Sequence, residues 1–484
     1  MEKATRTLHR LTSMGPYEES TVWEPPVDDP RVVRDLVVND VDRLPWFYKR
    51  YPESLPRLEL PTELPATAAS AVDVLAGTAG VAATELSLAQ LSRMLHLSAG
   101  VVRVSPRAYG EHPFRAAGSA GGRFPLEVYV AVPQASSPHR QTLPAGVYWY
   151  HPQDHCLVLI GPPSAGDAPV LVVTGVPWRT GWRYRERGYR HIYWDAGTML
   201  SQLLAAAESA GVRAHLRSRF PDQAVADLVG ADGVNEWPVA VVCIGEGTPA
   251  ISAAGPATAG EVDSAPVEFG LVTSAQRAGD QDALGPAWDA GGPADVLVRT
   301  ELPVEAVALA RGSQRLMDAS RALPIGLLRT CMGAALRGIA VPHWIAVHNV
   351  DGLAPGLYRW PDTETPVRAG ELRDELYHLC LDQGLGRDAA FVVIAAADLG
   401  DAGDREYREA QLGAGLVAGR LHLLAYALGA SASGMTFADS LLPELLGEPL
   451  DGLLLTCVGV PEYASAPGGG PGSPTSVRLI TPRE

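Results

Sequence analysis

A short run of small residues is the first feature of this sequence that could bind a ligand. Ser119-Ala-Gly-Gly122 follows Arg115 and precedes an apolar stretch, residues 128–132, that is typical of a buried β-strand. Residues without bulky side chains allow the backbone to approach a flat or phosphorylated ligand closely. An ordinary loop has the same pattern, so this run alone indicates only a candidate binding loop.

A second candidate contains two arginines around a serine. In Arg311-Gly-Ser-Gln-Arg315 the arginines are four residues apart, and on a helix this spacing puts both side chains on one face. Two guanidinium groups on one face can clamp a phosphate, because their donor geometry matches its oxygens. The motif therefore predicts a helical phosphate clamp, with a solvated helix face as the alternative.

A third candidate is rich in arginine and tyrosine. The ten residues from Trp182 to His191 contain four arginines and two tyrosines, among them Arg183 and Tyr184. Such a run could form a basic surface. It leads directly into an apolar helical pattern at Asp195, however, which is an unusual position for a purely solvated charge cluster.

The helices that would position these residues occur twice along the chain. Asp195-Ala-Gly197 opens a helical pattern that runs to Gly211, and Gly413-Ala-Gly415 opens another that runs to Gly429. Asp195 and Gly413 are 218 positions apart, as are Gly211 and Gly429. Strong helix formers that end at a glycine predict two long helices. Their nearly continuous apolar character predicts that both are buried.

A hairpin and a closing strand repeat in the same order. Residues 143–152 are echoed by 353–362, and residues 241–245 by 455–459. These landmarks predict an internal duplication of roughly 200 residues, and the mixed order of elements predicts the α+β class. The predicted divisions are an N-terminal wrapping or substrate-engaging segment (1–66), a first domain (67–247), a linker (248–298), a second domain (299–464) and a flexible tail (465–484).

The composition limits the class of protein. The 484 residues include 39 Lys and Arg against 55 Asp and Glu, a net charge of −16, which argues against nucleic-acid binding because phosphate contacts need a basic face. No stretch approaches the roughly 18 uninterrupted apolar residues of a membrane span. The five cysteines are scattered without a CxxC pair. They exclude a common zinc module and fit a reducing cytoplasm, and no metal site is predicted.

Taken in order, the motifs resemble one family of flavin enzymes. Arg115 with the Ser119–Gly122 run, the Tyr184–Arg190 run and Asp195-Ala-Gly197 are similar to sequences of the SagB/ThcOx-type members of the nitroreductase superfamily. The resemblance spans about residues 88–460. It implies two nitroreductase-like, FMN-binding domains fused as an intramolecular pseudo-dimer, similar to dehydrogenases of thiopeptide pathways.

The resemblance implies one complete FMN site per chain. In the superfamily FMN lies between two subunits, with the arginine motif from one and the small-residue loop from the other. Here the first half has only the loop and the second half only the arginine motif. The glycine turn beside the flavin is matched by Gly434-Met435, whereas the first half has the bulkier Leu216. The implied cofactor-binding residues are Arg115, Ser119, Ala120, Gly121, Gly122, Arg311, Ser313, Arg315, Gly434 and Met435.

The resemblance also implies how a proton is removed. Where the family often has lysine followed by tyrosine, this chain has Arg183-Tyr184. Arginine stays protonated in proteins, so Tyr184 becomes the implied base, with Arg183 favouring its ionised form.

The implied activity is FMN-dependent oxidation of thiazolines or oxazolines to thiazoles or oxazoles in a ribosomally made, thiopeptide-like product. An azoline-containing precursor peptide would be the substrate and the pathway cyclodehydratase a partner. One alternative is an FMN oxidoreductase that acts on a carrier-bound heterocycle or a small quinone or nitroarene. The other is a flavin-free peptide-binding scaffold. The sequence leaves open which azoline reacts, how the peptide is held and whether the pseudo-dimer pairs further.

Overall fold

Helices and strands interleave along the part of the chain that the computed structural model describes, residues 2–15, 29–134, 143–481 and 483. The α-helices are α1 Ala4–Leu11, α2 Ala71–Ala76, α3 Leu88–Ala99, α4 Pro177–Tyr184, α5 Gly188–Ser209, α6 Asp222–Val229, α7 Gly270–Ala278, α8 Val304–Ala310, α9 Ile325–Ala335, α10 Arg373–Leu379, α11 Gly384–Asp388, α12 Asp404–Ala427 and α13 Leu442–Leu446. The strands are β1 Arg57–Glu59, β2 Val101–Arg107, β3 Gly110–Arg115, β4 Leu126–Val132, β5 Gly146–His151, β6 Cys156–Gly161, β7 Val170–Gly175, β8 Ala214–Arg217, β9 Trp237–Ile244, β10 Leu323–Pro324, β11 His343–Val347, β12 Val350–Asp351, β13 Gly356–Arg359, β14 Arg368–Ala369, β15 Phe391–Ala397, β16 Ser431–Met435, β17 Asp451–Gly459 and β18 Thr475–Ser476. The mixed order confirms the predicted α+β class.

Two antiparallel sheets form the centres of the two halves. The first has the strand order β1-β6-β5-β4-β7-β9-β8, and the second has the order β14-β13-β11-β15-β17-β16. Five adjacent strands correspond, because β5-β4-β7-β9-β8 and β13-β11-β15-β17-β16 follow the chain in the same relative order. In each half the long helix, α5 or α12, lies between the same two strands of this series.

The long helices α5 and α12 pack against each other and are largely buried, as predicted. Glycines at the crossing allow the backbones to approach. A methyl group on Gly197 would lie 2.5 Å from the Leu412 carbonyl oxygen, and one on Gly415 would lie 2.5 Å from the Trp194 carbonyl oxygen. Gly197 and Gly415 are 218 positions apart, as are Trp194 and Leu412, so the two contacts are reciprocal, as contacts across a two-fold axis are.

Both predicted helix stops are confirmed. Gly211 and Gly429 follow α5 and α12 with φ angles of 75° and 78°, in the left-handed region that glycine adopts without a steric penalty. Each helix therefore ends where its sequence indicates.

Described residues of the N-terminal segment contact both halves. Helix α1 packs against α7 and α12, while Lys49 donates to Glu236 at 2.5 Å inside the first half, where both side chains are buried. Residues 16–28, which include Trp23 of the proline-rich stretch, lie outside the described residues. Within the described part of the chain, no helix is both long and apolar enough to cross a membrane.

The C-terminal residues do not form the free extension that the sequence predicts. The Gly469 N–H donates to the Val102 carbonyl at 2.8 Å, and the Val477 N–H donates to the Val104 carbonyl at 2.8 Å. Strand β18 continues this contact as a parallel partner of β2. The Gly- and Pro-rich composition predicted a flexible tail, because composition does not reveal backbone pairing with a distant strand.

Candidate active site

A buried aspartate holds the small-residue run, residues 118–122, which we call the glycine loop. Ser119 Oγ donates to Asp195 Oδ2 at 2.5 Å, and the Ala120 N–H donates to Asp195 Oδ1 at 3.0 Å. Ser119 Oγ also accepts from the Phe124 N–H at 2.8 Å. Gly121 has a positive φ of 58°, which favours glycine. Helix α5, which carries Asp195, therefore fixes the conformation of the loop.

Asp195 is an anchor whose charge is poorly stabilised. Its side chain is buried, and it forms no ion pair with any described residue. Burial raises its pKa to about 7, although the hydrogen bonds from Ser119 and Ala120 act in the opposite direction. The sequence marked Asp195 as a landmark of the duplication and as part of a family motif, but its role in holding the loop was missed.

The segment Arg311–Arg315, which we call the arginine segment, meets the glycine loop from the second half. Arg311 donates through Nε and Nη2 to the Ala116 carbonyl at 3.1 and 2.8 Å. A methyl group on Gly118 would lie 3.1 Å from Arg311 Nη1 and 3.6 Å from Ser313 Oγ. The two motifs that the sequence divides between the halves are therefore in contact.

The predicted helical phosphate clamp is wrong in its backbone conformation. Helix α8 ends at Ala310, and Arg311 has φ −57° and ψ 136°, which is extended rather than helical. Arg315 consequently does not share a helix face with Arg311. Its N–H donates to Tyr463 Oη at 3.1 Å, and its guanidinium forms no ion pair within the described residues. Gly312 and Ser313, both weak helix formers, contribute to this ending.

The Arg311 guanidinium is a buried charge without a carboxylate partner in the described part of the chain. Burial lowers its pKa to about 10, and the neighbouring guanidinium of Arg103 acts in the same direction. His422 Nδ1 lies 3.5 Å from Arg311 Nη1, and His422 Nε2 has no hydrogen-bond partner. Burial and Arg311 lower the pKa of His422 to about 3, so its ring is neutral. Because buried positive charge without an anion is costly, these residues fit a phosphate group.

Tyr184 and Arg183 lie directly over the glycine loop. A methyl group on Gly121 would lie 2.7 Å from Tyr184 Oη and 2.6 Å from Arg183 Cδ. Arg183 is exposed, and its guanidinium carbon lies 5.8 Å from the centre of the Tyr184 ring. Burial raises the pKa of Tyr184, and the opposing effect of Arg183 is smaller. The expectation that Arg183 keeps this phenol partly ionised is therefore wrong for neutral pH.

Comparison with known proteins identifies the fold around the glycine loop. The sequence profile of the nitroreductase family matches residues 81–246. These residues form a nitroreductase-family domain. A protein of Methanocaldococcus jannaschii named as a candidate nitroreductase is 25% identical over 175 residues, which cover 33% of this chain and 81% of that protein. The family indicates a flavin-dependent oxidoreductase.

One solved structure matches the fold beyond this domain. A candidate nitroreductase from Anabaena variabilis has a TM-score of 0.71 at 24% identity, and the match covers 96% of this chain and 100% of that one. A candidate nitroreductase from Ralstonia eutropha matches 44% of this chain and 96% of its own, with 23% identity and a TM-score of 0.32. The first match shows that the architecture of nearly the whole chain also occurs in a solved structure.

A histidine that the sequence did not single out lies behind Tyr184 in the nitroreductase-family domain. His191 is fully buried, and its ring is perpendicular to that of Tyr184 with 4.1 Å between the ring centres. Neither ring nitrogen has a hydrogen-bond partner among the described residues. Burial, with Arg187 and Arg190, lowers the pKa of His191 far below its usual range. A neutral imidazole therefore supports the Tyr184 ring.

The arginine-rich run joins the domain to the second half rather than forming a basic surface. Arg187 and Arg190 both pair with Asp439 at 2.6 Å, and Arg187 also reaches Thr436 Oγ1 at 3.3 Å. Although burial opposes it, these two arginines hold the pKa of Asp439 well below its usual range. Three of the four arginines in the run are buried, which explains why a charged segment leads into a core helix.

The remaining predicted site residues differ in their surroundings. Arg115 donates to the backbone carbonyls of Leu126 and Phe47 at 2.5 and 3.1 Å, so its guanidinium braces the domain. Gly434 is exposed, and a methyl group there would meet no heavy atom within 4 Å. Met435, beside it in β16, is buried. The structure thus brings together Arg311, Ser313, the glycine loop, Arg183 and Tyr184, while Arg115 contacts the backbone instead.

Proposed function

We propose that the chain is an FMN-dependent dehydrogenase that oxidises thiazoline or oxazoline rings in a ribosomally made peptide. The observation that carries the proposal is the position of the arginine segment: Arg311 bonds to the Ala116 carbonyl just before the glycine loop, and its guanidinium faces Gly118 of that loop. Each half of the chain supplies one part of a flavin site, and the parts meet. The resemblance of the motifs to azoline dehydrogenases supports the substrate class.

The proposed architecture is an intramolecular pseudo-dimer of two nitroreductase-like domains, residues 67–247 and 299–464. The shared strand order of the two sheets and the reciprocal contacts at Gly197 and Gly415 support it. Residues 1–66 would wrap the domains and engage substrate, and residues 248–298 would link them. A single chain would then correspond to the subunit pair that other superfamily members need.

Residues from both halves would hold the cofactor. Arg311 and Ser313 would bind the phosphate, since Arg311 offers a buried positive charge that no described carboxylate neutralises. Arg315 is the proposed second phosphate contact from the same segment. The glycine loop would let the flat ring approach the backbone, and Gly434 leaves open space for it. When bound, FMN supplies the electron acceptor for the oxidation.

Tyr184 is the proposed proton acceptor. Aromatisation removes two protons and two electrons from the azoline ring: one hydrogen leaves with both electrons, and the other must leave as a proton. Tyr184 would hold that proton at its phenolic oxygen, and the nearby Arg183 would favour the phenolate. Because burial keeps the phenol protonated at neutral pH, the reactive phenolate is a minor form. The rate of proton removal should therefore rise with pH.

The proposal is tested with FMN-loaded protein and a synthetic thiazoline peptide in air. We expect mass spectrometry to show the loss of two hydrogen atoms per ring. A peptide of the same sequence without the thiazoline ring serves as the negative control, and a nitroarene with a nicotinamide donor tests the alternative substrate. Reduction of the nitroarene without any change in the thiazoline peptide would contradict azoline oxidation. Absence of bound flavin would contradict the cofactor and favour a peptide-binding scaffold.

A further inference from the structure

The duplication gives three parts of the candidate site a counterpart position in the other half. Leu216 is the counterpart of Gly434, because they pair with Val242 and Thr456 at corresponding positions of β9 and β17. Gly413 is the counterpart of Asp195, 218 positions away on α12. Residues 336–342, between α9 and β11, are the counterpart of the glycine loop. These positions define a second cleft, related to the first by the repeat.

Trp288 lies in this second cleft: its indole contacts two of the three positions, and its backbone bonds to the third. The backbone N–H of Trp288 donates to the Leu216 carbonyl at 2.7 Å, and the indole Nε1–H donates to the Gly338 carbonyl at 3.0 Å. A methyl group on Gly413 would lie 3.6 Å from Cζ2 and Cη2 of the indole. A flat aromatic ring thus lies between the counterparts of Asp195 and of the glycine loop, while its own backbone is bonded to the counterpart of Gly434.

The predicted linker holds this tryptophan in place from both sides. Before it, the Gly285 N–H donates to the Arg219 carbonyl at 2.9 Å. After it, Arg337 donates to the carbonyls of Gly291 and Gly292 at 3.2 and 2.8 Å. Ala287 and Asp289, the neighbours of Trp288 in sequence, are both exposed. The segment is therefore fixed at its ends and directs one large side chain inwards.

The linker and the counterpart loop approach so closely that only glycine fits. Gly338 has φ +65°, and a side-chain carbon there would overlap the Asp289 carbonyl oxygen. Gly291 has φ +70° and faces the Gly338 N–H in the same way. Backbone-to-backbone packing of this kind excludes a ligand from between the two segments, and it leaves the indole as the occupant of the cleft.

We infer that Trp288 occupies a second, vestigial site for a flat heteroaromatic ring and thereby limits the chain to one flavin. The inference rests on the proposed function for the identity of the first site's ligand. It assigns a role to the linker, which the sequence suggested only as a connection. It also explains how a chain with two similar halves can have one cofactor site without an empty cavity in the other.

The test removes the indole and offers a flat ring in its place. FMN-saturated wild type, W288G and W360G are titrated with lumiflavin, which lacks the phosphate that Arg311 would bind. Trp360 is the matched control, because it too is partly buried against the core and lines a pocket beside Leu336 and Arg337 that Trp288 does not line. We expect one additional lumiflavin per chain in W288G and none in wild type or W360G. Added indole should also raise the melting temperature of W288G but not that of W360G.

A second variant tests the contact from the opposite wall. G413L should push the indole out, and we expect faster hydrogen–deuterium exchange in residues 285–291 with flavin content unchanged. A folded W288G that binds neither lumiflavin nor indole overturns the inference. If W288G fails to fold, hydrogen–deuterium exchange in G413L that equals that of the wild type overturns it. If the wild type binds no flavin, the proposed function fails, whereas the indole and exchange results still decide whether Trp288 fills the cleft.

Discussion

Replacing Arg311 with alanine is the sharpest single perturbation of the proposed cofactor site. The variant removes the buried guanidinium that faces Gly118 of the glycine loop. Loss of one charge-assisted phosphate contact should cost about 1.5–3 kcal/mol of binding free energy. That corresponds to a roughly ten- to hundredfold rise in the Kd for FMN.

The same change has a structural cost that the experiment must separate from binding. Arg311 gives two N–H donors to the Ala116 carbonyl, and an unsatisfied buried carbonyl costs about 1–3 kcal/mol of folding stability. Arg185 is the matched control. It is also buried, and it donates to the carbonyls of Val33 and Leu36 at 2.8 and 2.6 Å. R185A should therefore lose similar stability without losing affinity for FMN.

The assay is titration of apoprotein with FMN, followed by flavin fluorescence, with denaturant unfolding of each variant in parallel. We expect R311A to bind FMN at least ten times more weakly than R185A, while R311K retains part of the affinity. Equal Kd values for R311A and wild type would refute the reasoning. A loss of affinity in R185A as large as that in R311A would show that stability, rather than phosphate contact, controls the measurement.

Three further predictions follow from the site and its supports. Y184F should lower the rate of single-turnover flavin reduction about 10²-fold or more. The wild-type rate should rise with pH through the neutral range, because burial raises the pKa of Tyr184. A pH-independent rate or a fully active Y184F would contradict the assignment. Asp195 binds a proton more readily in the folded protein than in the unfolded one, because its pKa is raised from 3.8 to about 7. Its contribution to folding stability is therefore complete below pH 3.8 and is lost as pH rises through about 7. D195N should flatten this part of the dependence of unfolding free energy on pH, by about 4 kcal/mol at most, and an unchanged slope in denaturant titrations would contradict it. K49A should lower folding stability by about 3–5 kcal/mol, because it leaves the Glu236 carboxylate buried without a cation. The double variant K49M/E236Q should recover much of that loss. Thermal melting of both variants checks this.

Short stretches of sequence predicted the long helices, their ends and the fold class. The long helices end at Gly211 and Gly429 because consecutive strong helix formers stop at residues that adopt positive φ. The α+β class followed from the alternation of helical and strand patterns. The apolar character of α5 and α12 also indicated their burial, which the crossing at Gly197 and Gly415 explains.

Tertiary contacts decided the features that the sequence did not predict. Spacing placed Arg311 and Arg315 on one helix face, but Arg311 bonds to the Ala116 carbonyl from an extended segment. Asp195 has an ordinary sequence context, and its role depends on a hydrogen bond to Ser119, 76 residues away. Trp288 lies in a segment without periodicity, and its position depends on contacts with residues of both halves. Contacts between distant residues leave no periodic pattern in the sequence.

The measurement that most directly tests the central claim is a crystal structure of the chain with FMN bound. The account predicts one flavin per chain between the two halves. Its phosphate should lie within hydrogen-bond distance of Arg311 and Ser313, and its ring should lie against the glycine loop and Gly434. An FMN bound elsewhere, or a second FMN in place of the Trp288 indole, would contradict the account.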